Sequence, residues 1–296
     1  MTSAEMTAKL AAGQGFIAAL DQSGGSTPKA LAGYGIEAGA WGNDEEMFGL
    51  IHAMRSRIIR SAVFNGDKVI GAILFERTMD GMVDGVSTPA ALIAKGIVPF
   101  IKIDKGLEDE ANGVQLMKPM PELDALLARS KALGVFGTKE RSVIQSANAT
   151  GIAAIVAQQF EIGRQVIAGG LMPILEPEVN ITSASRAACD ELMLTEIHKQ
   201  LDQMSDKVML KLSLPVVPGT FDSLVAHPKV LRVVALSGGY ACPEACAELA
   251  KNHGIIASFS RALLNDLRFA MSDTEFDAAL GEAIDAIYAG STLKTA

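Results

Sequence analysis

Short apolar runs rich in β-branched residues recur along the whole chain, and stretches with a helical hydrophobic period separate most of them. The runs predict eight strands, over 16–21, 69–75, 97–104, 134–139, 172–176, 208–213, 230–237 and 255–260. Their apolar character is continuous rather than alternating, which suits parallel strands covered on both faces. Between them lie amphipathic helices: Leu194, Ile197, Leu201 and Met204 fall on one stripe, as do Phe276, Leu280, Ile284 and Ile287. Ser272 and Glu275 form a capping box ahead of the second stripe, and Thr2 and Glu5 form another that opens a short N-terminal helix rather than a signal peptide. Eight strands with helical crossovers predict an α/β fold, a TIM-type (β/α)8 barrel, as a single domain over 1–296 with a helical C-terminal tail. An open doubly wound sheet is the alternative, but no G-x-G-x-x-G follows the first strand. The connection 22–68, with a Gly-rich start and a helix over 44–64, reads as an insertion over the barrel mouth.

Composition narrows the partners. A 296-residue chain that is 49% hydrophobic can bury a large core. Its 26 basic and 34 acidic residues give −8 with no basic tract, which argues against nucleic acid and anionic membrane surfaces as partners. No apolar run is long enough to span a bilayer. Cys189, Cys242 and Cys246 are an odd set without a disulfide framework, so reduced thiols in the cytoplasm are expected. The histidines, His52, His198, His227 and His253, are scattered away from the strand ends, and no metal or cofactor is expected.

A barrel places its chemistry at the C-terminal strand ends, and here those ends are polar. The first strand ends in Asp21, the third passes through Lys102 and Asp104, and the fourth ends in Lys139-Glu-Arg141. Glu176-Pro-Glu178 ends the fifth, Ser237-Gly-Gly239 the seventh, and Arg261 follows the eighth. In the sixth, Lys211 stands alone in the apolar run Val208-Met-Leu-Lys-Leu-Ser-Leu214. Burial disfavours an ammonium and leaves the free amine as a nucleophile; the bland alternative is a packed stem with its head in solvent. Lys102, Lys139, Arg141, Lys211 and Arg261 gather positive charge in an acidic chain, and Ser237-Gly-Gly239 offers backbone donors for an anion. An anionic, phosphorylated substrate fits. Asp21, Glu176 and Glu178 supply carboxylates for proton transfer, and a lysine imine is the available electron sink for carbon chemistry beside a carbonyl.

At these residues the chain resembles the class I, Schiff-base fructose-bisphosphate aldolases, in their compact bacterial form, from about residue 13 to 267. Asp21-Gln-Ser-Gly-Gly-Ser26 resembles the family's Asp-Glu-Ser-Thr-Gly-Ser, and Ile101-Lys-Ile-Asp-Lys-Gly106 its Ile-Lys-Val-Asp-Lys-Gly. Lys139-Glu-Arg141 stands for Lys-Trp-Arg, Glu176-Pro-Glu178 for Glu-Pro-Glu, and Leu210-Lys-Leu212 for the segment carrying the imine lysine. Leu236-Ser-Gly-Gly239 and Ser258-Phe-Ser-Arg-Ala262 complete the order. The resemblance implies that Lys211 forms the imine, Glu176 shuttles protons, Glu178 supports the lysine, and Asp21 with Lys139 takes the C4 hydroxyl proton. It implies Ser237, Gly238 and Arg261 around the C1 phosphate, and Ser23, Ser26, Lys102 and Arg141 around the C6 phosphate. It further implies reversible cleavage of fructose 1,6-bisphosphate in glycolysis and gluconeogenesis, and self-association into a homo-oligomer.

Three departures stand out. Ser260 replaces the glycine before the phosphate-binding arginine, and Lys29-Ala30 lacks an arginine found in some relatives. The sequence ends Leu293-Lys-Thr-Ala296 where animal enzymes carry a proton-transferring tyrosine, and the helical context of Tyr288 suits packing. Two other readings are a Schiff-base aldolase for a different phosphorylated ketose and a non-catalytic scaffold barrel.

Overall fold

In the computed structural model, which describes residues 1–295, the apolar runs form eight parallel strands. These are β1 (Phe16–Leu20), β2 (Val69–Leu74), β3 (Val98–Lys102), β4 (Gly137–Ile144), β5 (Met172–Val179), β6 (Val208–Ser213), β7 (Val230–Leu236) and β8 (Ile256–Ala257). They pair in chain order. A hydrogen bond from Ala19 N to Phe259 O, 3.1 Å, draws the two ends together, so the barrel is nearly closed. Outside it run α1 (Ser3–Ala12), α2 (Thr27–Tyr34), α3 (Asp44–Arg60), α4 (Thr88–Ala94), α5 (Leu123–Ala132), α6 (Ala149–Ala168), α7 (Arg186–Leu201), α8 (Cys242–Ala250) and α9 (Asp273–Thr292).

Strand alternation divides the core in two. Ile17, Ala19, Phe100, Ile174, Met209, Val234 and Ile256 fill the barrel interior, and Met6 and Leu10 of α1 close it from below. Leu20, Ile101, Leu175, Leu210 and Leu212 face outward and join Ile155 of α6 and Ile197 of α7 in the layer between sheet and helices. Every residue of β1, β2 and β6 is buried, which explains why their sequences show no alternation.

Both capping boxes form. Thr2 N donates to Glu5 Oε2 at 2.6 Å, and Ser272 N to Glu275 Oε2 at 2.9 Å.

Several boundaries differ from expectation, among them the end of β3, at Lys102 rather than 104. β4 begins only at Gly137, because Gly134 (φ +82°) and the following turn end α5 first. β4 and β5 then run past their expected ends, to Ile144 and Val179, because their pairing continues unbroken from Gly137↔Met172 to Ile144↔Val179. The short strand Val114–Gln115 pairs antiparallel with the far end of β4. β8 is cut to two residues, since the chain turns at Ser260 into the one-turn helix Arg261–Leu264. Between β1 and β2 the insertion holds two helices, α2 and α3.

Tyr288 lies on α9 with the Lys68 ammonium 5.9 Å from its ring centre, beside the entrance of β2 and opposite the strand exits. There it packs against the outer core.

Candidate active site

The alternation that sends Ile17 and Ala19 inward sends Asp21 inward next. The same rule carries Phe100 to Lys102, Ile174 to Glu176 and Glu178, and Met209 to Lys211. Apolar side chains fill the lower barrel and ionisable ones its upper end. The motif Lys139-Glu-Arg141 is split by this geometry. Lys139 and Arg141 point inward, while Glu140 points out toward α6, where Gln159 donates to Ser142 Oγ at 2.7 Å and to Glu140 O at 3.3 Å.

Four side chains meet at the centre: Asp21, Lys139, Glu176 and Lys211 are 8%, 3%, 3% and 4% exposed. Lys139 Nζ lies 2.8 Å from Asp21 Oδ2 and 2.6 Å from Glu176 Oε2. Lys211 Nζ lies 3.1 Å from Glu176 Oε1. One glutamate thus bridges two buried lysine side chains, so that polar groups costly to bury in isolation find partners in each other. Lys211 is inside the barrel, as its place in β6 suggested.

Burial works against ionisation of Asp21, but Lys139, with Lys211 and Lys102 beyond it, outweighs burial and holds that carboxyl below the usual range. The converse holds for Lys139. Burial opposes its charge, and Asp21, Glu176 and Asp104 together keep it an ammonium well above the ordinary lysine range. Glu140, in the apolar layer outside the barrel, is pushed well above the usual carboxyl range by burial and accepts from Thr138 Oγ1 at 3.2 Å.

Around this centre lie the expected anion-binding groups. Lys102 Nζ is 2.7 Å from Asp104 Oδ1, and Asp104 Oδ2 accepts from Arg141 N at 3.2 Å. Glu178 forms its ion pair with Arg141 Nε, rather than with the lysine it was expected to support. Ser23 and Ser26 belong to the turn after β1, where Ser23 N donates to Ser26 Oγ at 3.0 Å. On the other side, Ser237 is buried at the exit of β7, followed by Gly238 (φ +61°) and Gly239 (φ +129°). A Cβ on Gly238 would stand 2.5 Å from Ile181 Cγ2, and one on Gly239 3.3 Å from Arg261 Nη2. The positive φ angles favour glycine at both positions, and the missing side chains leave room for Ile181 and Arg261 against this turn.

Asp104, which the sequence places at the third strand end without a role, pairs with both Lys102 and the Arg141 backbone. One residue escaped the sequence reading. Arg55, on α3, is fully buried and donates to Thr78 Oγ1 at 2.7 Å and to the Gln22 side-chain Oε1 at 3.1 Å. A signal existed: Arg55 falls four residues after Ile51 on the stripe shared with Met54 and Ile58.

A lysine beside a bridging glutamate, with an ionised aspartate and a second lysine, can form carbinolamines and imines and move the protons these steps require. The chain aligns over 99% of its length with 96% of the fructose-bisphosphate aldolase of Plasmodium falciparum, solved in complex with TRAP and a small-molecule inhibitor, with a TM-score of 0.83 and 20% identity. That likeness establishes the barrel fold. A sugar phosphate isomerase/epimerase from Parabacteroides distasonis overlaps more loosely, at TM-score 0.47 and 11% identity over 93% of this chain and 94% of its own. Residues 3–223 match the family model for fructose-bisphosphate aldolase class-I, a span that holds Asp21, Lys102, Lys139, Arg141, Glu176, Glu178 and Lys211 and stops before Ser237. The chain therefore belongs to the class I fructose-bisphosphate aldolase family.

Proposed function

We propose that this aldolase reversibly cleaves fructose 1,6-bisphosphate into dihydroxyacetone phosphate and glyceraldehyde 3-phosphate, through an imine on Lys211. The observation that carries the reading is the buried Lys211 Nζ, 3.1 Å from a glutamate that is also held by Lys139.

The amine of Lys211 adds to the ketose C2. The former carbonyl oxygen takes a proton from solvent water to become a hydroxyl; Glu176 takes the proton released from nitrogen and passes it to that hydroxyl, so that water leaves and a protonated imine remains. That imine draws the C3–C4 bonding electrons as the bond breaks, and the C4 hydroxyl proton passes to Asp21. Lys139, fixed as an ammonium, keeps Asp21 ionised beforehand and separates it from Glu176, which two unscreened carboxylates would not tolerate. Protonation of the resulting enamine and hydrolysis of the imine release dihydroxyacetone phosphate. Ser237, Gly238 and Arg261 would hold the C1 phosphate, and Ser23, Ser26, Lys102 and Arg141 the C6 phosphate. Arg141, paired with Glu178, would be oriented for that contact by its own ion pair.

The test is reduction with borohydride in the presence of dihydroxyacetone phosphate, followed by peptide mass mapping. The expected adduct lies on Lys211 and is absent from Lys211→Met. An adduct on another lysine, or none in a fully active enzyme, removes the mechanism.

A further inference from the structure

The two departures at Gln22 and Ser260 touch each other. Gln22 follows Asp21 where the family motif has glutamate, and Ser260 precedes Arg261 where it has glycine. In the fold the Gln22 side-chain amide donates to the Ser260 hydroxyl, across 238 residues of chain. The bond spans the seam of the barrel, because Gln22 leaves β1 and Ser260 follows β8.

Behind it stands Arg55. Its guanidinium holds both the backbone carbonyl and the side-chain oxygen of Gln22, while its other terminal nitrogen binds Thr78. Among the described residues no carboxylate lies within ion-pairing distance of Arg55, and its Nε has no hydrogen-bond partner. A fully buried guanidinium with that geometry fixes the orientation of the Gln22 amide: the oxygen turns to Arg55 and the nitrogen to Ser260.

The chain of contacts therefore runs Arg55, Gln22, Ser260, and through the backbone to Arg261, which lies against Gly239. One end adjoins the turn of Ser23 and Ser26, and the other adjoins the turn of Ser237 and Gly238. Resting on the function proposed above, these turns are the two phosphate sites. We propose that Gln22 and Ser260 are paired positioning residues, oriented by Arg55, that fix the separation of the two phosphate-binding turns and so favour a ketose phosphorylated at both ends. A sugar with two phosphates gains from a fixed spacing, because both turns are engaged at once and less ordering is needed on binding. A ketose 1-phosphate engages one turn and gains little.

The experiment compares fructose 1,6-bisphosphate with fructose 1-phosphate in wild type, Gln22→Leu, Ser260→Ala and the double variant. Each single variant is expected to raise KM for the bisphosphate about three- to tenfold, the scale of one hydrogen bond, with kcat held within about twofold. KM for the monophosphate is expected to stay within about twofold. The double variant should be no worse than Gln22→Leu alone, since that change already removes the bond to Ser260 together with the one to Arg55. Effects that multiply in the double variant, or that fall equally on both sugars, or that act on kcat alone, overturn the proposal while leaving the aldolase reading intact. Wild-type enzyme that cleaves neither sugar and traps no adduct on Lys211 overturns both.

Discussion

Replacing Lys139 with methionine tests the charge balance of the centre. The ammonium is 3% exposed and touches two carboxylates, at 2.8 and 2.6 Å. At an effective dielectric near 20 each contact supplies on the order of 5 kcal/mol of attraction, set against several kcal/mol of desolvation per ion. Removing it leaves Asp21 and Glu176 with only Lys211 between them. The expected loss of folding stability is about 3–5 kcal/mol near pH 7.5, measured by urea unfolding. The pH dependence follows from linkage. In the wild type Asp21 is held below its ordinary value of 3.8, so its contribution is complete above that value and is lost only as pH falls below it. In the variant an orphaned carboxyl titrates above its ordinary value, so stability falls as pH rises through that range and the deficit shrinks toward pH 5. Aldol cleavage should drop about 10²–10⁴-fold, because the proton-transfer set is broken. A variant equally destabilised at pH 5 and 7.5, or one with undiminished turnover, would refute the reasoning.

Two other substitutions probe the frame. Glu140 is pushed up by burial, so the folded protein keeps its proton where the unfolded chain has lost it, and stability declines as pH rises above the ordinary carboxyl range; Glu140→Gln should flatten that decline in thermal melts between pH 6 and 9, and an unchanged slope would contradict the assignment. Gly137→Ala would set a methyl 2.2 Å from the Met172 carbonyl oxygen and 2.7 Å from the Phe100 ring at the start of β4; a stability loss of roughly 2–4 kcal/mol is expected in denaturant titration, and a neutral result would mean that β4 and β5 can separate there.

The eight apolar runs were sufficient to read the barrel, because strands buried on both faces must be continuously apolar and their crossovers must be helical. The polar strand ends were legible for the same reason: in β1, β3, β5 and β6 charge interrupts a run only where the strand leaves the apolar interior, as Asp21, Lys102, Glu176 and Lys211 do. What a linear pattern does not carry is which charges meet. That Glu176 lies between Lys139 and Lys211, that Glu178 turns to Arg141, and that Glu140 faces the helices depend on the register of β4 against β5 and on the pleat, where a shift of one residue exchanges inside for outside. The contact of Gln22 with Ser260 required closure of the ring, since only the meeting of the first and last strands brings residues 238 positions apart within one hydrogen bond.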